Sequence, residues 1–393
     1  MNLIGKKLLI QGAGRGHLGL IETCKRLGVI TIVTGLKGPC IQFADKFIKC
    51  DIKNKEGILE IATQENIDGL IICGSDTGLE CVGHVNDFLG LTGISEEAAR
   101  ICSDKLKMKN KLVDAGVRTA RFYPIKKKSD IKKAIQNLQF PLILKATDLQ
   151  GSRGIYIVHS EEEVYEAFEN VSKLTHNPYC ILEEFIEGRE FGAQAFVSRG
   201  EVLFVLPHGD ETILCGTNVP IGHYMPYILS DELYKDTELQ IIKAINAIGL
   251  DNCAVNIDLI ERNGKVYIIE LTGRVGANCL AELTSNYFGI DYYEMIVLKA
   301  LGEEVERITN PKANQIATIA RMLKSNVDGI VDTIHSEKYN QSQVTLFVKP
   351  GDEIRIFKNS NDAIGQVIVK GQTLQECEDK INKIITEIKI NIR

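Results

Sequence analysis

A lysine, a glycine-rich segment and several carboxylates occur along the chain in an order suited to binding phosphate groups. Lys145 ends the apolar segment "FPLILK", and "ATDLQGSRG" follows it directly. Gly151 and Gly154 let the backbone there approach a ligand closely, and Ser152 adds a hydroxyl donor. Because phosphate oxygens require cations and N–H groups, we predict that this loop closes over the phosphates of a nucleotide.

The next polar segment, "LEEFIEGRE", offers groups that suit the rest of a nucleotide. Glu183 and Glu184 precede the apolar pair Phe185–Ile186, and Glu190 follows a turn at Gly188. An adenine ring needs an apolar slot edged by backbone donors and acceptors, and ribose hydroxyls need an acceptor such as a carboxylate. We therefore expect the adenine and the ribose at this segment.

Two carboxylates and an arginine further along predict a metal clamp for the phosphates. Asp258 and Glu270 lie on the two strands of a hairpin that turns at Asn263–Gly264, about midway between them. Opposed residues of an antiparallel pair lie close together, and carboxylate oxygens are the ligands that Mg²⁺ prefers. Arg274 presents a planar donor fork that suits a transferring phosphoryl group, so we assign it as the catalytic residue.

The elements that position these residues begin with alternating strand-like and helix-like segments up to residue 103. This alternation predicts a parallel sheet wound by crossover helices. Within it, "SDTGLECVGHVNDFLG" is typical of a helix with Ser75 or Asp76 as its N-cap. A helix from Asp104 to Ala115 follows, and later hairpins turn at "SRGE" and "RNGK".

After residue 303 the pattern changes to short strands and a final amphipathic helix. The predicted strands lie in "NQIATIARML", "QVTLFVK", "DEIRIF" and "GQVIVKG". We therefore predict three domains: 1–103, 104–303 with a lid at about 146–210, and 304–393.

Composition and charge limit the class of protein. The 393 residues are 44% hydrophobic and 25% charged, which is typical of a globular chain with more than one domain. The net charge of −6 and the absence of a basic block argue against nucleic-acid binding. Two short lysine clusters, at 105–111 and 126–128, are expected on the solvated surface apart from Lys105.

Cysteine usage and hydropathy predict a cytoplasmic protein. The eleven cysteines include no CxxC and no cysteine–histidine cluster, which favours free thiols in a reducing compartment. No segment approaches the roughly 18–20 apolar residues of a membrane span. The first residues lead into a predicted strand, so we expect no signal peptide and no membrane partner.

The glycines of "GAGRGHLG" give a weaker signal. Gly14, Gly16 and Gly19 match a dinucleotide-binding fingerprint after a strand. That fingerprint needs an acidic residue about 20 positions further on, and the second strand instead ends in Thr34 and Gly35. We therefore disfavour a nicotinamide cofactor and expect tight strand-to-helix packing or another ligand at this loop.

The order of lysine, glycine-rich loop, glutamates, and Asp…Glu…Arg across a hairpin resembles the ATP-grasp superfamily over roughly residues 1–303. The resemblance implies an α/β and α+β architecture. A doubly wound parallel-sheet (pre-ATP-grasp) domain would precede the ATP-grasp fold, and a small β-rich C-terminal domain would follow it. It also implies ATP and Mg²⁺ as cofactors, with Mn²⁺ as an alternative ion.

The resemblance assigns roles to the residues above. The ATP contacts that it implies are Lys105 and Lys145 for the phosphates, Glu183 with the backbone of Glu184 and Ile186 for the adenine edge, and Glu190 for the ribose. Asp258 and Glu270 match the metal carboxylates. Many members carry an asparagine as a third ligand where this chain has Thr272, so we include Thr272 among the metal residues, because its hydroxyl can ligate Mg²⁺ or hold a bound water. The replacement leaves the number of metal ions open.

Two further features resemble the branch of carboxylate–amine ligases that act on amino acids. The segment "GTNVPIGHYMPYILSDEL" resembles a loop with His223 facing the acceptor pocket, and the C-terminal region resembles that of L-amino-acid ligases. Gly276 and Asn278 of "GRVGAN" offer backbone N–H groups for a substrate carboxylate. We thus expect small-molecule carboxylate and amine substrates, an acyl phosphate intermediate and, from the resemblance alone, a homodimer.

Other activities remain open at this point. A purine-pathway amine ligase or a carbamoyl-phosphate-type enzyme would share all the ATP residues. A catalytically impaired nucleotide-binding regulator would also share them, and only Thr272 favours that reading.

Overall fold

The computed structural model of the chain describes residues 3–151, 153–214, 218–308, 316–336, 339–340 and 343–393, with only the backbone of residues 214 and 218. The chain forms two compact units. The first comprises Met1–Leu206, Leu229–Gly276 and Tyr293–Ile308, and the second comprises Pro207–Ile228, Ala277–Tyr292 and Thr309–Arg393. Compact units need not coincide with independently folding domains, so the division at residues 103 and 303 stays a prediction.

The first unit opens with a parallel sheet. Its strands, numbered in chain order, are β1 (Lys7–Gln11), β2 (Ile30–Gly35), β3 (Lys46–Lys49) and β4 (Gly69–Ile71), arranged β3-β2-β1-β4. The accompanying helices are α1 (Leu18–Leu27), α2 (Lys55–Glu65), α3 (Leu79–Leu89) and α4 (Glu96–Cys102). Parallel neighbours require crossover connections, and the predicted parallel sheet with helical crossovers is confirmed.

A four-stranded antiparallel sheet follows in the same unit. It is arranged β5-β8-β6-β7 and consists of β5 (Phe122–Ile125), β6 (Leu142–Ala146), β7 (Ile155–Val158) and β8 (Cys180–Glu184). The helices of this region are α5 (Lys105–Asp114), α6 (Lys128–Ile135) and α7 (Glu161–Ser172). The glycine-rich loop joins β6 to β7, whose pairing sets Lys145 opposite Ile155.

Two long hairpins complete the first unit. Their strands are β9 (Arg189–Ser198), the first part of β10 (Glu201–Leu214), β12 (Cys253–Arg262) and β13 (Lys265–Thr272), and the helices are α8 (Asp231–Ile248) and most of α10 (Tyr292–Ala300). Both predicted turns are confirmed. Arg199 and Gly200 have φ angles of 54° and 76°, and Asn263 and Gly264 have 54° and 72°. Positive φ at both central residues is what a two-residue hairpin turn of this hand requires.

The second unit is rich in strands, as predicted. One sheet contains the end of β10 followed by β11 (Asn218–Met225), β14 (Ala317–Leu323), β18 (Gly365–Gly371) and β16 (Val344–Leu346), and another is arranged as β17 (Glu353–Ile354), β15 (Gly329–His335) and β19 (Lys389–Ile392). The helices are α9 (Leu280–Phe288) and α11 (Leu374–Glu387). In α11, the buried residues Cys377, Ile381 and Ile384 form the predicted apolar stripe.

Three strands of this unit were not predicted from the sequence: β11, β15 and β19. Of the residues of β15 and β19 only Val331, in β15, is buried, and β19 spans just four residues. Their pairing with each other, and of β15 with β17, therefore depends on partners distant in the sequence. Among the described residues, no helix has both the length and the apolar character needed to cross a membrane.

Candidate functional site

The two predicted metal carboxylates lie directly opposite each other. In the β12–β13 hairpin Asp258 pairs with Glu270, and the register shifts immediately after Asp258. Asp258 is exposed, whereas the side chain of Glu270 is 28% exposed. The predicted opposition is confirmed, while the role of the pair as metal ligands remains a prediction.

Lys105 reaches the same point from the start of α5. Asp104 caps this helix by accepting hydrogen bonds from the N–H groups of Leu106 and Lys107. The Lys105 ammonium lies 3.2 Å from Glu270 Oε1 and donates to the carbonyl oxygen of Leu149 at 3.0 Å. Burial lowers the pKa of Lys105, but the Glu270 carboxylate outweighs that effect, so its pKa is raised overall. The lysine is therefore charged beside the Asp258–Glu270 pair.

A second cation of α5, Lys109, is buried with Glu183 and Lys145. The carboxylate of Glu183 lies 2.7 Å from Lys109 Nζ and 3.0 Å from Lys145 Nζ, and Lys109 also donates to Thr119 Oγ1 at 2.7 Å. The side chains of Lys109 and Glu183 are each 1% exposed. The expectation that Lys109 lies on a solvated surface is thus wrong. Positions four apart share a helix face, so the spacing of Lys109 from Lys105 was the available signal.

The electrostatics of this buried triad favour the carboxylate form of Glu183. Burial alone raises the pKa of Glu183. The two lysines lower it by more than burial raises it, so the net shift of the pKa is downward. Burial also lowers the pKa of Lys109, which Glu183 only partly offsets. One carboxylate therefore holds two cations, and one of them is Lys145 at the base of the glycine-rich loop.

Arg274 is held by a carboxylate that sequence analysis assigned to another role. Its Nε and Nη2 donate to the two oxygens of Asp76 at 2.7 and 2.8 Å, and Thr272 Oγ1 donates to Asp76 Oδ1 at 2.8 Å. Asp76 does not cap a helix, because α3 begins at Leu79 with Gly78 as its N-cap residue. Burial raises the pKa of Asp76, but Arg274 outweighs this and the pKa is lowered.

We expect Asp76→Asn to lower the free energy of unfolding by about 2 kcal/mol, because the buried guanidinium would lose its carboxylate. Denaturant titration would measure the loss. Asp114→Asn, at an exposed end of α5, is the matched control and should change stability by less than about 0.5 kcal/mol. Equal stability of the two variants would contradict the assigned ion pair.

The glycine-rich loop keeps its backbone accessible. Gly151 has a φ of 64° and is exposed, and Gly154, with a φ of 66°, accepts a hydrogen bond from Ala146 N at 2.9 Å. Ser152, predicted as a hydroxyl donor, lies outside the described residues. The carbonyl oxygen of Thr147 accepts from Lys105 N at 3.0 Å, which ties the loop to the start of α5.

The predicted adenine and ribose residues lie at and after the end of β8. Glu184 forms an ion pair with Arg121 and donates its N–H to the Arg121 carbonyl oxygen, and its role at an adenine edge remains a prediction. Ile186 is buried in a small apolar cluster that includes Ile260. Glu190 is exposed on β9, opposite Ile260. All these residues belong to the first unit, as do the lysines and carboxylates above.

Two polar residues near the carboxylates were not singled out from the sequence. Asn256 is the register partner of Thr272, and its amide lies 3.4 Å from Asp258 Oδ1. Gln194, fully buried, donates to Asn256 Oδ1 at 2.7 Å and accepts from Gly276 N at 3.0 Å. The Gly276 N–H, predicted to meet a substrate carboxylate, therefore already has a partner.

The remaining predicted substrate residues belong to the second unit. Asn278 has a φ of 54° and precedes α9, which begins at Leu280. His223 was expected in a loop but lies in strand β11, so that expectation is wrong. His223 is buried there, with Nδ1 2.6 Å from Asp210 Oδ1.

Comparisons with known proteins agree with this architecture. The model of the ATP-grasp domain matches residues 138–282, and that of the L-amino acid ligase C-terminal domain 2 matches residues 338–393. The crystal structure of phosphoribosylglycinamide synthetase from Anaerococcus prevotii is 43% identical, with a TM-score of 0.86 over 99% of this chain and 100% of that one. The L-amino acid ligase structure from Bacillus licheniformis is 18% identical with a TM-score of 0.81, covers 99% of both chains, and supports the fold alone.

Curated relatives extend the similarity to named ligases. Alanine–anticapsin ligase of Bacillus subtilis is 24% identical over 275 residues, which are 64% of this chain and 58% of that protein. This chain spans only 30% to 58% of the length of four such relatives. The matches confirm the predicted fold class and the resemblance on which it was based. Several of these relatives are named as ligases, the class of enzyme predicted for this chain.

Proposed function

Because this chain belongs to the ATP-grasp family, we propose that it uses ATP to join a small-molecule carboxylate to an amine. A carboxylate is a poor electrophile until one oxygen becomes a leaving group. Phosphoryl transfer from ATP to that oxygen yields ADP and an acyl phosphate. The amine nitrogen then attacks the acyl carbon, the carbon–oxygen bond to phosphate breaks, and the amine loses a proton. Such chemistry asks the protein mainly for positioning and charge neutralisation.

The observation that carries this proposal is the opposition of Asp258 and Glu270 with the Lys105 ammonium 3.2 Å from Glu270. Two carboxylates that face each other form a hard oxygen donor set, which fits Mg²⁺ and equally Mn²⁺. Asp258 and Glu270 would hold the ion, which neutralises charge on the phosphates when it is bound. Thr272 directs its proton at Asp76, so we assign it a supporting role beside this pair.

The cations of the first unit would bind the triphosphate. Glu270 holds the ammonium of Lys105, and Glu183 holds that of Lys145. Lys145 directly precedes the glycine-rich loop in the chain, and Lys105 donates to the carbonyl oxygen of Leu149 within that loop. Gly151 exposes backbone that phosphates can approach. The end of β8 would receive the adenine at Glu184 and Ile186 and the ribose at Glu190. Glu183 would act mainly by fixing Lys145.

Arg274 is the residue that we assign to the transferring phosphoryl group. Its guanidinium is held by Asp76 on one edge and donates through Nη1 to the Val275 carbonyl oxygen at 3.2 Å. A guanidinium fixed in this way keeps its charge and its orientation, which is what stabilisation of a developing anion requires. The contribution is electrostatic and needs no proton transfer from arginine.

A second candidate differs in the amine. The similarity to phosphoribosylglycinamide synthetase spans the whole chain at 43% identity, which favours a glycine carboxylate and a phosphoribosyl amine. The match to the L-amino acid ligase C-terminal domain favours two amino acids instead. Both candidate reactions proceed through an acyl phosphate, so identification of the amine substrate distinguishes between them.

The test is carboxylate-dependent release of phosphate from MgATP, with hydroxylamine added to trap an acyl phosphate as a hydroxamate. Pools of amino acids and small carboxylates identify the acid, and mass spectrometry then identifies the product with amino acids or phosphoribosylamine as the amine. We expect a hydroxamate that depends on one acid and on ATP. Tight ATP binding with no turnover on any pool would instead favour the nucleotide-binding regulator.

A further inference from the structure

Three potential metal ligands project from one face of the sheet in the second unit. His208 and Asp210 are two positions apart on β10, and residues two apart in a strand point to the same face. His223 on β11 is the register partner of Asp210. The register shifts between Glu211 and Thr212, one residue beyond the cluster, and the pairing then continues in the shifted register. The pairing of β10 with β11 thus brings two imidazoles and a carboxylate together.

The three side chains converge on one point. The Nδ1 atoms of His208 and His223 lie 2.9 and 2.6 Å from the same oxygen, Asp210 Oδ1. The two rings are nearly perpendicular, at 83°, with centroids 5.3 Å apart. One ligand atom from each of the three residues lies within 4.8 Å of the other two. The histidine side chains are 2% and 7% exposed and that of Asp210 is 23% exposed, so the cluster is enclosed but reachable through Asp210.

We propose that His208, Asp210 and His223 form a binding site for a divalent transition-metal ion, best matched by Zn²⁺. Imidazole nitrogens with one carboxylate are a donor set that suits zinc and its neighbours, and three protein ligands leave a position for water or a small ligand. The ion would be held by the two imidazoles and the Asp210 carboxylate. This donor set differs in kind from the all-oxygen pair at Asp258 and Glu270, so the two sites should select different ions.

The site is tested by metal binding to the full chain after removal of metal with a chelator. Calorimetric titration with Zn²⁺ should show one tight equivalent per chain, and Co²⁺ should give a visible absorption band typical of nitrogen ligation. Asp210→Asn and His223→Ala should each weaken Zn²⁺ binding by at least about tenfold. His84→Asn is the matched control, because His84 also contacts a carboxylate, Glu96, at 2.9 Å but lies outside the cluster.

Two measurements keep the result independent of folding and of ligase activity. Zn²⁺ should raise the Tm of the unaltered chain, since a ligand that binds only the folded state stabilises it. Glu270→Gln should still bind Zn²⁺ with unchanged affinity even where it has lost ATP turnover. Zn²⁺ binding that is absent in the unaltered chain, or equally weakened by His84→Asn and Asp210→Asn, would overturn the proposal and leave the ligase function untouched.

Discussion

Glu270→Gln is expected to reduce ATP turnover by about 1,000-fold while the protein stays folded. Glutamine keeps the shape of the side chain but removes the negative charge that faces both Asp258 and the Lys105 ammonium. A neutral amide binds a divalent ion far less well than a carboxylate. Steady-state phosphate release with saturating carboxylate, amine and ATP would measure the effect.

The control for this variant is Glu169→Gln, which removes a carboxylate of the same type from the exposed pair with Lys128. That variant should retain full turnover. Raising the Mg²⁺ concentration should partly restore activity in Glu270→Gln if the lost step is metal binding. Turnover within about threefold of the unaltered protein, in a folded Glu270→Gln sample, would contradict the assignment of Glu270 as a metal ligand.

The turn of the β12–β13 hairpin could be predicted because its signal lies within a few residues. The positive-φ pair Asn263–Gly264 determines the turn, but the register that the turn sets would place Asp258 opposite Ile269. The register shift between Asp258 and Leu259 is what brings Asp258 opposite Glu270, and the sequence gives no separate signal for that shift. The amphipathic α11 and the capped start of α5 were predictable for the same reason, since their signals lie within one or two helical turns. Local chemistry therefore accounts for much of the fold around the site.

The contacts that sequence analysis missed join residues far apart in the chain. Lys109 was expected on the surface because its partner Glu183 is contributed by another strand, and Asp76 was assigned as a helix cap because its partner Arg274 lies 198 positions away. Charged residues are rarely buried unless they are paired, so the burial of such a residue cannot be predicted without knowing its partner. His208 and Asp210 were passed over because their significance depends on the register of β10 with β11.

Glu183→Gln is expected to lower the free energy of unfolding by roughly 3–5 kcal/mol, the largest stability change that we predict. The substitution would leave the cations of Lys109 and Lys145 buried with no carboxylate between them. Removing one partner of a buried ion pair costs more than the pair itself contributes, because the remaining charge stays out of water. Denaturant unfolding monitored by circular dichroism would measure the loss, and Glu169→Gln again serves as the exposed control.

The pH dependence of stability gives a second test of the same triad. Because the pKa of Glu183 is lower in the folded protein than in the unfolded chain, the unfolded chain binds more protons in acid. The stabilisation is therefore complete above the ordinary glutamate value of about 4.3 and is lost as the pH falls towards the folded value. The stability difference between the unaltered protein and Glu183→Gln should shrink over that acidic range.

A double variant separates the charge effect from loss of packing. Lys109→Met in the Glu183→Gln background removes one of the two uncompensated cations and keeps an apolar side chain of similar length. It should recover part of the lost stability, whereas Lys109→Met alone should destabilise the protein, and the two effects should be strongly non-additive. Additive losses would show that Lys109 and Glu183 do not act on each other and would contradict the assigned buried ion pair.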